Sequence, residues 1–297
     1  MSQVQDPLTI VVPVYNEAQV LPGVAPGIIE YCTSQRWQVI FVDDGSRDGS
    51  GEYLDSFAKS SKARVFHHKV NRGYGGAIKT GILNANTPYC VTFDADGQHN
   101  LQDVELVFGY AMKSNADLVV GNRGIQGESN VYRAVGKRLI RMFTRLLMPL
   151  PIKDLNSGLK LYRTDLAKKY LKVCPNSMSF SDVITLVFVN QNNLVLEYPI
   201  TVAPRKTGKS TISIYTAFET LLEILNIILM FNPLKVFLPI SFFCISVGLI
   251  WGITVLFLVG RGVSVGAMLA IVTGLIFFVL GLLANQISAM RMESLHD

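Results

Sequence analysis

Asp94 and Asp96 stand on either side of a single alanine, and the amide of Gln98 follows two residues later. They close an apolar run, Tyr89–Phe93, that predicts a buried strand. Two carboxylates at the carboxyl end of a parallel strand lie where open α/β sheets bind their ligands. Such groups repel one another unless a cation sits between them. An oxygen-only set suits Mg2+ or Mn2+, with coordination positions left over for phosphate oxygens. An Asp-rich turn capping the next helix would use the same residue types, so the surrounding elements have to separate the two readings.

Between residues 8 and 122, short runs rich in β-branched residues alternate with amphipathic stretches. Leu8–Val14, Gln38–Val42, Arg64–His68, Tyr89–Phe93 and Asp117–Val120 predict strands; Ala18–Ser34, Gly49–Ser60, Gly75–Ala85 and Leu101–Ser114 predict helices. That alternation implies an α/β domain with a mostly parallel sheet covered by helices on both faces. Polar clusters fall where the strands end: Pro13-Val14-Tyr15-Asn16-Glu17, Asp43-Asp44-Gly45-Ser46, Asn71-Arg72-Gly73-Tyr74-Gly75-Gly76 and the Asp94 cluster. Each has a bland counterpart: Asp-Gly-Ser is a turn, Asp48 a helix N-cap, the glycines a tight bend. A glycine-rich loop entering a helix can also bind phosphate through its N–H groups, but this one lacks the lysine of a P-loop and the first-strand position of a dinucleotide fingerprint. Four clusters on one rim favour a ligand site with a cation over four unrelated turns.

The chain has 297 residues, 49% of them hydrophobic, and the excess is confined to the region after Pro233. Val236–Gly260 and Val265–Ala284 are apolar runs of about 25 and about 20 residues, each able to cross a hydrocarbon core of ~30 Å at ~1.5 Å per residue. Only a tight turn around Arg261 and Gly262 separates them, which predicts a transmembrane hairpin. Arg205, Lys206, Lys209 and Lys235 precede the first run and Arg291 follows the second, so the positive-inside rule places the N-terminal domain and both termini in the cytoplasm. The polar start, Met1–Pro7, carries no signal-peptide pattern, and Cys32, Cys90, Cys174 and Cys244 lack metal-ligand spacing, as reduced structural cysteines would. Residues 131–148 place Val135, Leu139, Met142, Phe143 and Leu146 on one helical face, with Arg133, Lys137, Arg138, Arg141 and Arg145 filling much of the rest. A helix of that kind suits a membrane interface, where each basic residue contributes about 1 kcal/mol towards anionic head groups; a solvated surface helix shares the pattern. Residues 214–231 form a second interface helix with a thin polar stripe, Glu219, Glu223 and Asn226, and packing against a neighbouring subunit would produce the same stripe. The net charge of +5 concentrates beside the membrane segment, which makes nucleic acid an unsuitable partner.

Taken in order, Val11–Glu17, Val42–Ser46, Asn71-Arg72-Gly73, Asp94–His99, Gly121-Asn122-Arg123 and Asp154-Leu155-Asn156-Ser157-Gly158, followed by two spans, resemble the family-2 glycosyltransferases of the GT-A fold. The resemblance is to the polyprenyl-phosphate (dolichol- and undecaprenyl-phosphate) glycosyltransferase group and covers essentially the whole chain. It implies a nucleotide-sugar-binding core over residues 1–130, an acceptor-side region over 131–232 and a membrane hairpin with tail over 233–297. It also implies that Pro13, Tyr15, Glu17, Asp43, Asp44, Lys79 and Asp94 contact the nucleotide sugar, and that Asp94, Asp96 and Gln98 hold Mg2+ or Mn2+. Asp96, Arg123 and Asp154 would be catalytic, with Asp154 either a base or an organiser. Arg133, Lys137, Arg205 and Lys209 would meet the acceptor phosphate, although the positive-inside rule alone accounts for the basic loop at Arg205–Lys209.

The expected activity is inverting transfer of a hexose, from UDP-glucose in first place, to a membrane polyprenyl phosphate. A dolichol-phosphate-mannose-synthase-like enzyme using GDP-mannose is the alternative within the class, and a non-catalytic nucleotide-sugar-binding scaffold is the alternative outside it. A processive polysaccharide synthase would carry a Gln-x-x-Arg-Trp signature, which neither Trp37 nor Trp251 provides. The resemblance further implies a homo-oligomer, a tetramer, and a bacterial inner membrane.

Overall fold

The computed structural model describes residues 6–59, 63–95, 99–124, 151–155, 157–201, 225–226, 229–260 and 264–293. Asp96, Gln98, Arg133, Lys137, Arg205 and Lys209 lie outside the described residues, as do the helix expected over 131–148 and most of that over 214–231.

The five short apolar runs form strands β1 (Leu8–Val14), β2 (Gln38–Asp43), β3 (Arg64–His67), β4 (Tyr89–Thr92) and β5 (Leu118–Asn122). Nearly every residue of β1 and β2 is buried, which is why they read as continuous Val/Ile runs rather than as alternating ones. The amphipathic stretches form α1 (Leu21–Gln35), α2 (Ser50–Ala58), α3 (Tyr74–Asn84) and α4 (Leu101–Ser114). Helix α1 starts three residues later than the periodicity predicts, with Pro22 in its first turn, where a missing N–H costs nothing. Two further strands complete the sheet, β6 (Lys160–Arg163) and β7 (Val195–Pro199), with α5 (Thr164–Tyr170) and α6 (Phe180–Asn190) between them.

The seven-stranded sheet has the order β3-β2-β1-β4-β6-β5-β7. Every pairing is parallel except those of β6, which runs against both β4 and β5. This one reversal matters for function. The carboxyl ends of β1, β2, β4 and β5 share a rim, and β6 meets that rim with its amino end, Lys160 lying opposite Thr92 on one side and Val120 on the other. The loop preceding β6 is therefore delivered to the rim beside the loops that follow its neighbours. Below the rim, Ile10, Val12, Phe41, Val91, Val104 and Leu161 belong to one buried cluster.

The hairpin forms a second unit, α7 (Leu234–Val259) and α8 (Val265–Glu293), both long and apolar enough to cross a membrane. Gly260 ends α7 in the left-handed conformation, φ +66°. Helix α8 continues nine residues past the apolar run that ends at Ala284, because nothing between Asn285 and Glu293 is a glycine or a proline. The two helices approach closely: a Cβ at Gly274 would lie 2.8 Å from the Ser241 carbonyl oxygen, the kind of contact that small residues permit between membrane helices.

Candidate active site

The loops after β1 and β2 are laced together by side chain-to-backbone bonds. Asn16 adopts φ +53°, which its short amide side chain tolerates, and it accepts from the Arg47 N–H while its own N–H donates to Ser46 Oγ, both at 3.0 Å. The Glu17 N–H donates to Ser50 Oγ at 2.9 Å, and Asp48 accepts from Ala18 N–H and from Ser50. Gly49, not Asp48, holds the N-cap position of α2. This lacing sets Pro13, Tyr15 and Glu17 against the rim, and Tyr15 is exposed.

Asp43 and Asp44 then diverge. Asp43 turns towards β3, accepting from the Ser46 N–H and pairing with His67 Nδ1 at 3.0 Å, while His67 Nε2 reaches Asp55 at 2.9 Å. Burial pushes the Asp43 carboxyl up, but its bonds to Ser46 and His67 outweigh that and hold it below its ordinary range. Asp44 accepts from Arg72 N–H at 2.9 Å, Gly73 N–H at 2.8 Å and His68 Nδ1 at 2.6 Å, and His68 Nε2 rests on Thr80 Oγ1 at 2.8 Å. The glycine-rich loop thus spends two of its N–H groups on a carboxylate of its own chain. The Gly76 and Ala77 N–H groups go to the Asn176 and Gly73 carbonyls. Lys79 bonds to the Cys174 carbonyl and to Asn176 Oδ1. Neither Asp43 nor Lys79 is among the residues that line the rim cavity.

That cavity has a volume of about 570 Å3 and is lined by Tyr15, Asp44, Asn71, Asp94, Arg123, Ser157 and Ser181, among others. Asp94 follows β4, and Tyr74 Oη donates to its Oδ1 at 3.1 Å. Its Oδ2 occupies a hollow left by Gly158, where a Cβ would fall 2.0 Å from that oxygen. A half-buried carboxylate cradled by a glycine beside a cavity, with only oxygen donors in the expected set, fits a hard divalent cation. Among the described residues no three His, Cys, Asp or Glu side chains converge on one point, and Asp96 and Gln98 are not among them.

At the other end, Arg123 follows β5 and Asp154 sits in the loop before β6. The guanidinium grips the carboxylate with two parallel bonds, Nε and Nη2 each at 2.9 Å, and the Arg123 N–H adds a third at 3.1 Å. Burial pushes Asp154 up, but Arg123 overcomes it and holds the carboxyl below its ordinary range; the same ion pair raises Arg123. Glu197 of β7 accepts from the Lys153 and Asp154 N–H groups and from Asn122 Nδ2, tying the backbone of Asp154 to the side chain that precedes Arg123.

Sequence reasoning did not single out Tyr74, Lys160, Ser181 or Glu197. Tyr74 lies within the glycine-rich cluster that follows β3, and that position is its signal in the sequence. Glu197 lies in an unremarkable strand, and only the topology brings it to the rim.

A glycosyl transferase family 2 profile matches residues 9–171, and a GtrB C-terminal hairpin profile matches residues 232–290. A dolichyl-phosphate beta-glucosyltransferase of Dictyostelium discoideum is 30% identical over 54% of this chain and 55% of its own length, so the match spans about half of that protein. A polyprenol monophosphomannose synthase of Mycolicibacterium smegmatis is 29% identical over 69% of this chain and 80% of its own. Among solved structures, glucosyl-3-phosphoglycerate synthase from Mycobacterium tuberculosis, in complex with Mn2+, UDP and phosphoglyceric acid, shares the fold with a TM-score of 0.56 at 17% identity, over 75% of this chain and 78% of that one.

Proposed function

The chain belongs to glycosyl transferase family 2, and from that premise we propose that it transfers a hexose from a nucleoside diphosphate sugar to the phosphate of a membrane polyprenyl phosphate. The observation that carries this reading is a single cavity with a carboxylate cradle at Asp44 and Asp94 and a clamped guanidinium, Arg123, at its far wall. A lipid phosphate oxygen attacks the anomeric carbon while the bond to the nucleoside diphosphate breaks, and the leaving group departs with the electron pair, inverting the configuration. A phosphate monoester is already largely dianionic near neutral pH, its second pKa being about 6, so the attack needs no base. Asp154, held low and engaged through both oxygens by Arg123, is accordingly an organiser of that guanidinium. Arg123 stabilises charge developing on the phosphates. Asp94, with Asp96 and Gln98, would hold Mg2+ or Mn2+, whose charge would neutralise the donor diphosphate. The hairpin anchors the chain in the membrane that carries the acceptor, with Arg133, Lys137, Arg205 and Lys209 proposed on the acceptor side.

Asp44 favours a uridine donor. A carboxylate offers about four lone-pair positions, and three are occupied by His68, Arg72 and Gly73. The one remaining suits the single ring N–H of uracil better than the paired donors of guanine. Incubating the full-length protein with Mn2+, polyprenyl phosphate and UDP-glucose or GDP-mannose, then reading the lipid product by mass spectrometry, tests the whole reading. Transfer from UDP-glucose, abolished by EDTA, is the expected result. Transfer from GDP-mannose alone would overturn the uridine assignment, and undiminished turnover in EDTA would overturn the metal.

A further inference from the structure

The most deeply buried charge near the rim belongs to Lys160, the first residue of β6, with 0% of its surface exposed. An ammonium has three donors, and all three are used: the Leu155 carbonyl at 2.5 Å, the Ser181 carbonyl at 2.5 Å and Thr185 Oγ1 at 2.9 Å. The first acceptor belongs to the loop carrying Asp154, the other two to the first turns of α6. None of the three is charged. Facing the ammonium through space are Asp182 from α6, Asp154 from the loop and, with opposite effect, Arg123 from the end of β5. Burying a charge against neutral acceptors alone is expensive, and an apolar side chain would fill the same strand position at lower cost.

What the ammonium holds accounts for its presence. Ser181 Oγ donates to the Ser157 carbonyl at 3.0 Å, and Thr92 Oγ1 donates to the Gly158 carbonyl at 2.7 Å. Ser157, Gly158 and Ser181 are wall residues of the cavity, and Gly158 is the glycine against Asp94.

We propose that Lys160 is a positioning residue whose ammonium ties Leu155, in the loop before β6, to the start of α6, setting Gly158 against Asp94 and Asp154 against Arg123 at the same time. One buried cation thereby couples the donor end of the site to the acceptor end. The proposal rests on reading the cavity as the transfer site. Burial pulls the amine down to about 8, the carboxylates of Asp182 and Asp154 only partly offsetting it. Above that pH the neutral amine has two N–H groups for three acceptors, and one of the three bonds that hold the loop to α6 is lost.

The test uses the full-length protein in detergent or nanodiscs, as wild type, Lys160→Met, Lys160→Arg and Thr185→Val, with melting curves as folding controls. In the wild type, kcat for transfer falls as pH rises through about 8. Lys160→Met loses about 10- to 100-fold in kcat, the scale of a small misplacement at a reacting centre, with donor KM changed far less. Lys160→Arg recovers most of that loss and moves the alkaline limb upward, since a guanidinium keeps its proton. Thr185→Val removes one acceptor and moves the limb downward. A second readout needs no turnover: hydrogen exchange of the 155–159 amides, corrected for intrinsic rate, should lose about tenfold protection above pH 8 in the wild type but not in Lys160→Arg. A limb and a protection pattern that ignore all three substitutions would overturn the clamp. Absence of wild-type transfer from any sugar nucleotide would instead sink the transfer reading, with the exchange measurement still deciding on Lys160.

Discussion

At the β1–β2 end of the rim, Asp44 is held by two backbone N–H groups and an imidazole, whereas at the β5–β6 end Asp154 is held through both oxygens by a guanidinium. The first is a cradle of dipoles, and it fixes the shape of an acceptor that a neutral ligand edge can meet. The second is a neutralised ion pair, and it fixes the direction of a cation. A cradle of dipoles suits recognition of a nucleoside, which carries hydrogen-bonding edges and little charge. A fixed cation suits a reaction in which charge moves between phosphates. Under the proposed function, binding belongs to one end and catalysis to the other, and kinetic parameters can separate the two.

The largest effect should come from the ion pair. Arg123→Met is expected to lower kcat by about 10²- to 10³-fold, the range for removing one preorganised electrostatic group. Asp154→Asn, which leaves the guanidinium present but unaimed, should cost about 10- to 100-fold on the scale of misplaced catalytic groups. The double variant should be no slower than Arg123→Met alone, because residues that act as a unit do not add. Steady-state transfer rates for the four proteins check this. Losses that multiply would mean that Asp154 acts on substrate by itself, as a base would, and the contrast between the two ends would collapse.

Asp44 should behave differently. Asp44→Asn replaces an acceptor with an amide donor that faces an N–H group, so the 71–73 loop loses a bond and the donor loses its contact. Donor KM is expected to rise about tenfold with kcat changed less than about threefold, the signature of lost uniform binding. Varying the sugar nucleotide at saturating acceptor measures it. An equal fall in kcat would show that the cradle also serves the chemistry.

The β1–β2 end of the rim was far more legible in the sequence than the β5–β6 end, and the reason is physical. Strands β1, β2 and β4 are buried on both faces, so they appear as apolar runs, and their polar ends stand out as clusters. Strand β6 is four residues long and begins with a buried lysine, a combination no apolar pattern predicts. Its charge is satisfied by Ser181 and Thr185, more than twenty residues downstream in the chain, and only the tertiary fold brings them near. Glu197 is hidden in the same way, since its partners, Asn122 and the 153–154 backbone, come from two other parts of the chain. The glycine-rich loop hides its bonding likewise: the N–H groups of Arg72, Gly73 and Gly76 are turned onto Asp44 and Asn176, which the spacing of the glycines does not report.

The smallest expected effect concerns how the two ends respond to pH. His67 joins Asp43 to Asp55 behind the β1–β2 end of the rim, and although burial opposes its charge, the two carboxylates raise its pKa above the ordinary value. In the unfolded chain that value is about 6.5. A raised folded-state pKa stabilises the fold fully below about 6.5 and loses that contribution as pH climbs through the folded value. Asp43 works in the opposite sense: its pKa is lowered, so its contribution is present above its unfolded pKa of about 3.9 and fades as pH falls through the folded one. The clasp is therefore complete between about pH 4 and 6.5. His67→Gln should lower Tm by about 1–3 °C at pH 5.5, a modest figure because the imidazole is part-exposed, and by less at pH 8.5. The Arg123–Asp154 pair has no such dependence, because a guanidinium keeps its proton throughout this range. Melting curves of wild type, His67→Gln and Asp154→Asn at the two pH values place both ends on one scale. A His67→Gln deficit equal at both pH values would mean that the imidazole bridges its carboxylates without titrating, and the β1–β2 end would then be as insensitive to pH as the ion pair opposite.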